Sequence, residues 1–258
     1  MTKNQFAPED DPIHFRSIFI SDIHLGTRFS QAEELLEFFK FTRCENLYLV
    51  GDIIDGWAMK RKLKWAQSHS DVIQKILRKA RKGTNVYYIT GNHDDFLRSF
   101  LPLGLGDHVK VMDECEYISL NHERFYITHG DFFDSVTMTK RWLAVLGDVG
   151  YDVLLHVNQI LAWCRKQLRY QRHWSLSQYV KDHVKRSVSF ITDFESILSE
   201  HAKRHHYDGV ICGHIHKAEM REIEGIKYLN CGDWVESCTA IVETYEGEFK
   251  IIRWLGHS

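Results

Sequence analysis

The sequence predicts an α/β fold in which parallel strands are joined by helices. Over the first 130 residues, short apolar runs alternate with stretches whose apolar residues recur at helical spacing. Polar residues with metal-binding or catalytic chemistry follow several of the apolar runs directly. Open α/β sheets bind their ligands at the carboxyl ends of the strands, so we expect a functional site at that edge.

The first half of the chain predicts three strands and two helices. The strands are expected at 17–20, 47–50 and 86–90, where short apolar runs are typical of strands buried on both faces. Helices are expected over 31–41 and 71–82, where apolar residues gather on one side. The alternating order favours a parallel sheet with helical crossovers.

The second half begins with a predicted hairpin and returns to strands only near its end. The hairpin pairs 117–120 with 124–128, around Asn121-His122-Glu123. Helical periodicity then extends from 137 to about 204, and further strands are expected at 210–212, 226–229, 239–242 and 249–254. We interpret residues 1–258 as a single domain with a helical insertion at about 137–204.

Composition narrows the class of protein. The chain carries 33 Lys and Arg against 35 Asp and Glu, a net charge of −2, which excludes a globally basic nucleic-acid binder. No apolar run approaches the roughly 18 residues that a membrane span needs, and the acidic N-terminus does not resemble a secretory signal. The six cysteines form no Cys-x-x-Cys pair and are expected to be reduced. These observations predict a cytoplasmic protein.

Five short motifs at predicted strand ends carry the chemistry. They are Asp22-Ile-His24, Gly51-Asp52-Ile-Ile-Asp55, Gly91-Asn92-His93-Asp94, His129-Gly-Asp131 and Gly213-His214-Ile-His216. Each motif alone is commonly a turn or a pair of surface residues, but five in this order favour a shared site. Imidazole, carboxylate and amide groups suit divalent manganese, iron or zinc, and not a thiolate site. Seven such ligands are about the number that two ions sharing a bridging carboxylate require.

Together the five motifs resemble the signature of the calcineurin-like metallophosphoesterases. The resemblance extends over about residues 16–245. It implies a four-layer αββα sandwich with two central sheets and a binuclear metal centre between their edges. It also implies a metal-dependent hydrolase that acts on phosphoester or pyrophosphate bonds.

The resemblance also implies a role for each motif residue. One ion would be held by Asp22, His24, Asp52 and His216, and a second by Asp52, Asn92, His129 and His214, with Asp52 bridging. Manganese is the expected metal, with iron or zinc as alternatives. His93 matches the catalytic histidine of the family, Asp55 and Asp94 would orient ligands or His93, and Asn92 would also contact the substrate.

The version of the second motif, Gly51 to Trp57, and the helical insertion resemble one branch of the family. This branch, the UDP-2,3-diacylglucosamine pyrophosphatases of lipid A synthesis, cleaves a nucleotide-linked lipid sugar to UMP and a lipid phosphate. The insertion would then form a lid over the lipid. Its basic residues would contact phosphates or the cytoplasmic face of the inner membrane; they are Arg165, Lys166, Arg169 and Arg172.

One position departs from this branch, and other interpretations stay open. The lipid A pyrophosphatases carry Arg where this chain has His93. The substrate could therefore be another small phosphoester cleaved by a phosphodiesterase or phosphatase. A non-catalytic scaffold of the same fold is a third hypothesis, and the insertion could equally be a plain helical hairpin. No nucleic-acid partner is expected, and no protein partner can be inferred.

Overall fold

Two β-sheets form the centre of the computed structural model, which describes residues 11–61, 65–136 and 191–254. The first sheet has seven strands in the order β12-β11-β1-β2-β3-β5-β4, and the second has five in the order β6-β7-β8-β10-β9. The strands are β1 Ile13–Ile20, β2 Thr42–Val50, β3 Asn85–Ile89, β4 Leu103–Leu105, β5 Val109–Met112, β6 Glu114–Ile118, β7 Arg124–Thr128, β8 Gly209–Cys212, β9 Glu219–Ile223, β10 Ile226–Asn230, β11 Thr239–Glu243 and β12 Phe249–Arg253.

Four α-helices lie in the described part of the chain, and three of them pack on the outer faces of the two sheets. They are α1 Ala32–Phe41, α2 Gly56–Arg61, α3 Gln67–Arg81 and α4 over 191–204, and short 3₁₀ helices span Asp95–Phe100 and Asp131–Val136. Helices α1 and α3 share one hydrophobic core with the first sheet. On the second sheet, Tyr126 of β7 contacts His201 of α4, with ring centres 5.0 Å apart. The layers are thus helix, sheet, sheet and helix, the predicted four-layer α/β sandwich.

Strand alternation divides the side chains between two cores. Ile18 and Ile20 of β1 pack against the helices, whereas Phe19 between them faces the second sheet. Successive side chains of a strand point to opposite faces, so a strand between two apolar layers must be apolar at every position. This requirement explains the uninterrupted apolar runs from which the strands were predicted.

The parallel core of the first sheet is confirmed, but its edges differ from the prediction. Strands β1, β2, β3 and β5 are parallel neighbours, while β4, β11 and β12 add antiparallel edges. The predicted hairpin is present as the antiparallel pair β6–β7. Strands β4, β5 and β9 were not predicted. Strand β9, Glu219–Ile223, is an edge strand, where charged residues are common. Its sequence therefore lacks the apolar run from which the other strands were predicted.

Tertiary contacts extend two elements beyond their apolar patterns. Helix α3 begins at Gln67, four residues before the predicted start. In its first turns, Ser70 accepts a hydrogen bond from the indole of Trp65, and buried His69 accepts one from the Gly26 amide. Strand β1 begins at Ile13, and its Arg16 pairs with Glu243 of β11. Gly26 and Glu243 lie far from these segments in the sequence, so local periodicity could not indicate their contacts.

The chain divides into two compact units, Met1–Asp131 with Glu195–Ser258, and Phe132–Phe194. Most of the second unit, and with it most of the insertion predicted at about 137–204, lies outside the described residues. The single-domain organisation with this insertion therefore stays a prediction. Within the described ranges, no helix is both long and apolar enough to cross a membrane.

Candidate metal centre

The five motifs lie at the carboxyl ends of parallel strands from both sheets. Three of them follow β1, β2 and β3 of the first sheet, and two follow β7 and β8 of the second. Backbone hydrogen bonds join neighbouring motifs within each sheet, from Asp22 to Gly51 at 3.0 Å and from Gly213 to His129 at 3.2 Å. The His214 amide donates to the Asp22 carboxylate at 3.0 Å and joins the two sheets at this edge.

Five motif residues have left-handed backbone conformations, which residues other than glycine rarely adopt. Asp22, His24, Asp52, His214 and His216 have φ angles between 52° and 72°. Such a conformation costs roughly 1–3 kcal/mol per residue and persists only when the surrounding structure enforces it. Here the backbones of neighbouring motifs hold one another, as in the hydrogen bond from His24 to Asp52 at 2.9 Å. The concentration of strain in these motifs is typical of a functional site.

The side chains converge around two carboxylate oxygens. Oδ1 of Asp22 lies 3.2 Å from Nε2 of His216 and 3.9 Å from Nε2 of His24. Oδ2 of Asp52 lies 3.3 Å from Nε2 of His129 and 3.9 Å from Nε2 of both His24 and His93. Three groups with mutually close ligand atoms result, and they share members: Asp22, His24 and His216; His24, Asp52 and His93; Asp22, Asp52 and His129.

Several of these ligand atoms are buried without a hydrogen bond in the described part of the chain. They are Oδ1 of Asp22, Nε2 of His24, Oδ1 of Asn92 and Nε2 of His129. A buried polar atom without a hydrogen bond costs about 1–3 kcal/mol, so four of them in neighbouring motifs indicate that these atoms bind a ligand. Nitrogen and oxygen donors of this kind suit divalent cations of the manganese, iron and zinc type. The residues present therefore fit a divalent metal centre.

Further hydrogen bonds orient the candidate ligands. The Nδ1 of His129 lies 2.9 Å from the carbonyl of Val50, and the Nδ1 of His24 lies 3.2 Å from Asp55. A proton on each Nδ1 leaves Nε2 as the ligating atom, the usual arrangement around a metal. Asp94 lies deeper and accepts hydrogen bonds from the Ile53 amide, the Gly91 amide and the Tyr88 hydroxyl. It fixes the loops that carry the ligands.

Two glycines allow the motifs to approach one another closely. A Cβ on Gly51 would collide with the ring of His129, and a Cβ on Gly91 would collide with the carboxylate of Asp52. Gly51 also has a φ of 79°, which glycine adopts without steric cost. The glycines beside the polar residues are therefore part of the packing of the site.

The family comparison agrees with this geometry. The model of the family described as calcineurin-like phosphoesterase matches residues 15–218. The chain belongs to this family. It is accordingly a metal-dependent hydrolase of phosphoester bonds, and divalent metal ions are its implied cofactors.

This calcineurin-like phosphoesterase aligns with individual relatives over nearly their whole length. A UDP-2,3-diacylglucosamine hydrolase of Haemophilus influenzae (strain PittGG) is 22% identical over 253 residues, which cover 92% of this chain and 98% of the relative. A hydrolase of the same name from Psychromonas ingrahamii is 25% identical over 232 residues, which cover 85% and 89%. A solved structure of a novel archaeal phosphodiesterase is 15% identical, covers 92% and 98%, and has a TM-score of 0.45.

Charge compensation in the phosphoesterase site is provided by its imidazoles. Burial alone would raise the pKa of Asp22, but the charges of His216 and His129 lower it to about 2. Burial lowers the pKa of His216, but Asp22 outweighs this effect and raises it to about 9. Carboxylates and imidazoles thus compensate each other's charge, and metal binding is expected to release protons.

The sequence did not predict some neighbours of the site, and some residues that it did predict lie outside the described residues. The ring of Trp57 lies 4.4 Å from the ring of His93 and packs against it. Arg98 donates to Asp131, the last residue of the fourth motif, at 2.9 Å. Trp57 lies two residues after Asp55, in the stretch that carried the resemblance, but the sequence did not indicate its contact with His93 or the partner of Arg98. The predicted substrate contacts Arg165, Lys166, Arg169 and Arg172 lie outside the described residues.

Proposed function

We propose that the protein hydrolyses the pyrophosphate bond of UDP-2,3-diacylglucosamine, or of a closely related nucleotide-linked lipid sugar, to UMP and a lipid phosphate. The convergence of strand-end carboxylates and imidazoles at one edge of the two sheets carries the hydrolytic part of this proposal. The near-complete coverage of relatives named for hydrolysis of this substrate supports its finer part.

The proposed metal ligands form two sets that share Asp52. Asp22, His24, Asp52 and His216 would hold one ion, and Asp52, Asn92, His129 and His214 the other, with manganese as the proposed metal. Two divalent ions in such a site activate water and neutralise charge on the phosphoryl oxygens. Asp55 and Asp94 would keep the ligands oriented through the hydrogen bonds described above.

His93 is the proposed proton donor to the departing oxygen. Its Nδ1 lies 3.0 Å from Asp55 and its ring packs against Trp57, so its orientation is fixed, while 23% of the side chain stays exposed. His93→Gln should lower kcat about 10²- to 10³-fold for a substrate with an alkyl leaving group. The loss should be smaller with p-nitrophenolate, which departs without protonation.

The test compares the loss of kcat for two diesters of matched size, one with an alkyl leaving group and one with p-nitrophenolate. His108→Gln is the control, because the exposed imidazole of His108 lies against Asn85, outside the five motifs. Equal losses with both leaving groups would show that His93 does not donate the proton.

The cellular setting belongs to the same proposal. We place the protein in the cytoplasm, with the basic residues of the insertion contacting the substrate or the inner membrane. These residues are Arg165, Lys166, Arg169 and Arg172, which lie outside the described residues.

His93 supports a second candidate substrate class. The lipid A pyrophosphatases carry Arg at this position, a permanent cation that binds phosphate, whereas His can also donate a proton. Another small phosphodiester is therefore the alternative substrate for the same metal centre.

The deciding experiment measures UMP release from UDP-2,3-diacylglucosamine by the purified, manganese-loaded protein. Bis-p-nitrophenyl phosphate serves as a generic diester, and Asp52→Asn provides the inactive control. Rapid UMP release that disappears in Asp52→Asn is the expected result. Hydrolysis of the generic diester without UMP release would overturn the substrate and leave the phosphodiesterase.

A further inference from the structure

A basic cavity lies at the end of the first sheet opposite the metal centre. Its volume is about 560 Å³, a size typical of small-molecule sites. It opens between the beginnings of β1 and β2 and the last turns of α3. Its charged lining residues are Arg43, Lys75, Arg78, Lys79 and Lys82, with Glu45 as the one carboxylate among the lining residues described.

Cations outnumber carboxylates among the described lining residues of the cavity. Among the described residues, Lys75, Arg78 and Lys82 form no ion pair, in a chain whose total charge is −2. Burial lowers the pKa of Lys75, and the charges of Arg43, Arg78 and Lys82 lower it further. Like charges held together in this way favour a bound anion.

Lys79 is a buried cation in the wall of the cavity. Only 6% of Lys79 is exposed, its Nζ donates to the Thr42 carbonyl at 2.9 Å, and it lies 5.1 Å from the ring centre of Phe39. Burial, together with the neighbouring cations, lowers its pKa to about 8. A buried ammonium without a carboxylate partner is costly, and an anion in the cavity would offset this cost.

The cavity is separate from the metal centre. Pro12 and His14 at the start of β1 line it, whereas Asp22 follows the end of the same strand. Eight residues of strand span roughly 25 Å, at about 3.3 Å per residue. A ligand in the cavity therefore cannot contact the metal-binding side chains.

We propose that this cavity binds a small phosphate-bearing anion at a site distinct from the catalytic one. Arginine provides forked donors and lysine provides compact point charges, and both suit phosphoryl oxygens. The phosphate belongs either to a soluble compound or to the headgroup of an anionic lipid. The proposal does not depend on the substrate of the metal centre.

The test measures binding of inorganic pyrophosphate by calorimetry to the Asp52→Asn protein without added metal, so that the metal centre does not compete. Saturable 1:1 binding is expected. Neutralising two rim cations with Lys75→Gln and Arg78→Gln should weaken it at least about tenfold. The matched control neutralises two exposed cations elsewhere, Lys110→Gln and Lys203→Gln, and should bind as before.

A second arm identifies the source of the phosphate. Co-sedimentation compares phosphatidylcholine vesicles with vesicles that also contain phosphatidic acid. Binding to the acidic vesicles alone, lost in the Lys75/Arg78 variant, would assign the site to a lipid headgroup; pyrophosphate binding assigns it to a soluble anion. If the double variant folds poorly, Lys82→Gln replaces it in both arms. Lys82 is exposed, and its substitution should weaken either interaction.

Activity provides the internal check. The Lys75/Arg78 variant should hydrolyse bis-p-nitrophenyl phosphate at the wild-type rate, because the cavity lies at the opposite end of the sheet. Absence of saturable binding in both arms would overturn the proposal. So would binding that the Lys75/Arg78 variant retains.

Discussion

Asp52→Asn should reduce kcat for phosphodiester hydrolysis at least about 10³-fold without unfolding the protein. Oδ2 of Asp52 lies within 3.9 Å of three imidazole nitrogens, those of His24, His93 and His129. The substitution keeps the shape of the side chain and removes its negative charge. An amide group in place of the carboxylate would weaken the binding of any cation held among these imidazoles.

The control for this variant is Asp107→Asn. Asp107 is exposed in the connection between β4 and β5, so its substitution removes one negative charge far from the site. Steady-state rates on bis-p-nitrophenyl phosphate, with circular dichroism to verify folding, complete the comparison. Activity of Asp52→Asn within tenfold of the wild type would contradict the assignment of Asp52 as a shared ligand.

Chelation of the metal should abolish turnover and also lower the melting temperature by at least about 10 °C. A ligand present at 1,000 times its dissociation constant stabilises the native state by about 4 kcal/mol per site. For a protein of about this size, 1 kcal/mol corresponds to roughly 2–4 °C. The physical cause is the set of buried ligand atoms that form no hydrogen bond in the described part of the chain, which include those of Asp22, His24 and His129.

Thermal unfolding with and without manganese, after treatment with a chelator, measures this shift independently of activity. Asp107→Asn should respond fully to the metal, whereas Asp52→Asn should show less than half of the shift. A chelated protein with unchanged melting temperature and unchanged rate would contradict the metal centre.

Much of the fold is encoded locally, and those parts could be predicted. Helix α1 was expected at 31–41 and is found at Ala32–Phe41, because its apolar face repeats with helical period. The run 47–50 predicted β2 because a strand between two cores is apolar throughout. Strand β9 escaped prediction because its polar sequence satisfies the requirements of a sheet edge and not those of a core.

The candidate site divides in the same way. The residue types of the five motifs, each following an apolar run, were sufficient to indicate metal chemistry. The packing of Trp57 on His93 and the hydrogen bond from Tyr88 to Asp94 were not foreseen. The left-handed backbone at Asp22, His24 and Asp52 was not foreseen either, because neighbouring motifs impose it.

The sequence by itself determined the chemistry of each segment, because composition and periodicity act over a few residues. Only the tertiary structure decided which segments meet. The His214 amide contacts Asp22 across 192 residues of chain, and Arg43 of β2 joins the cations of α3 around one cavity. Such meetings depend on strand order and on the packing of helices against sheets, and the free energy of those contacts is set by the whole fold.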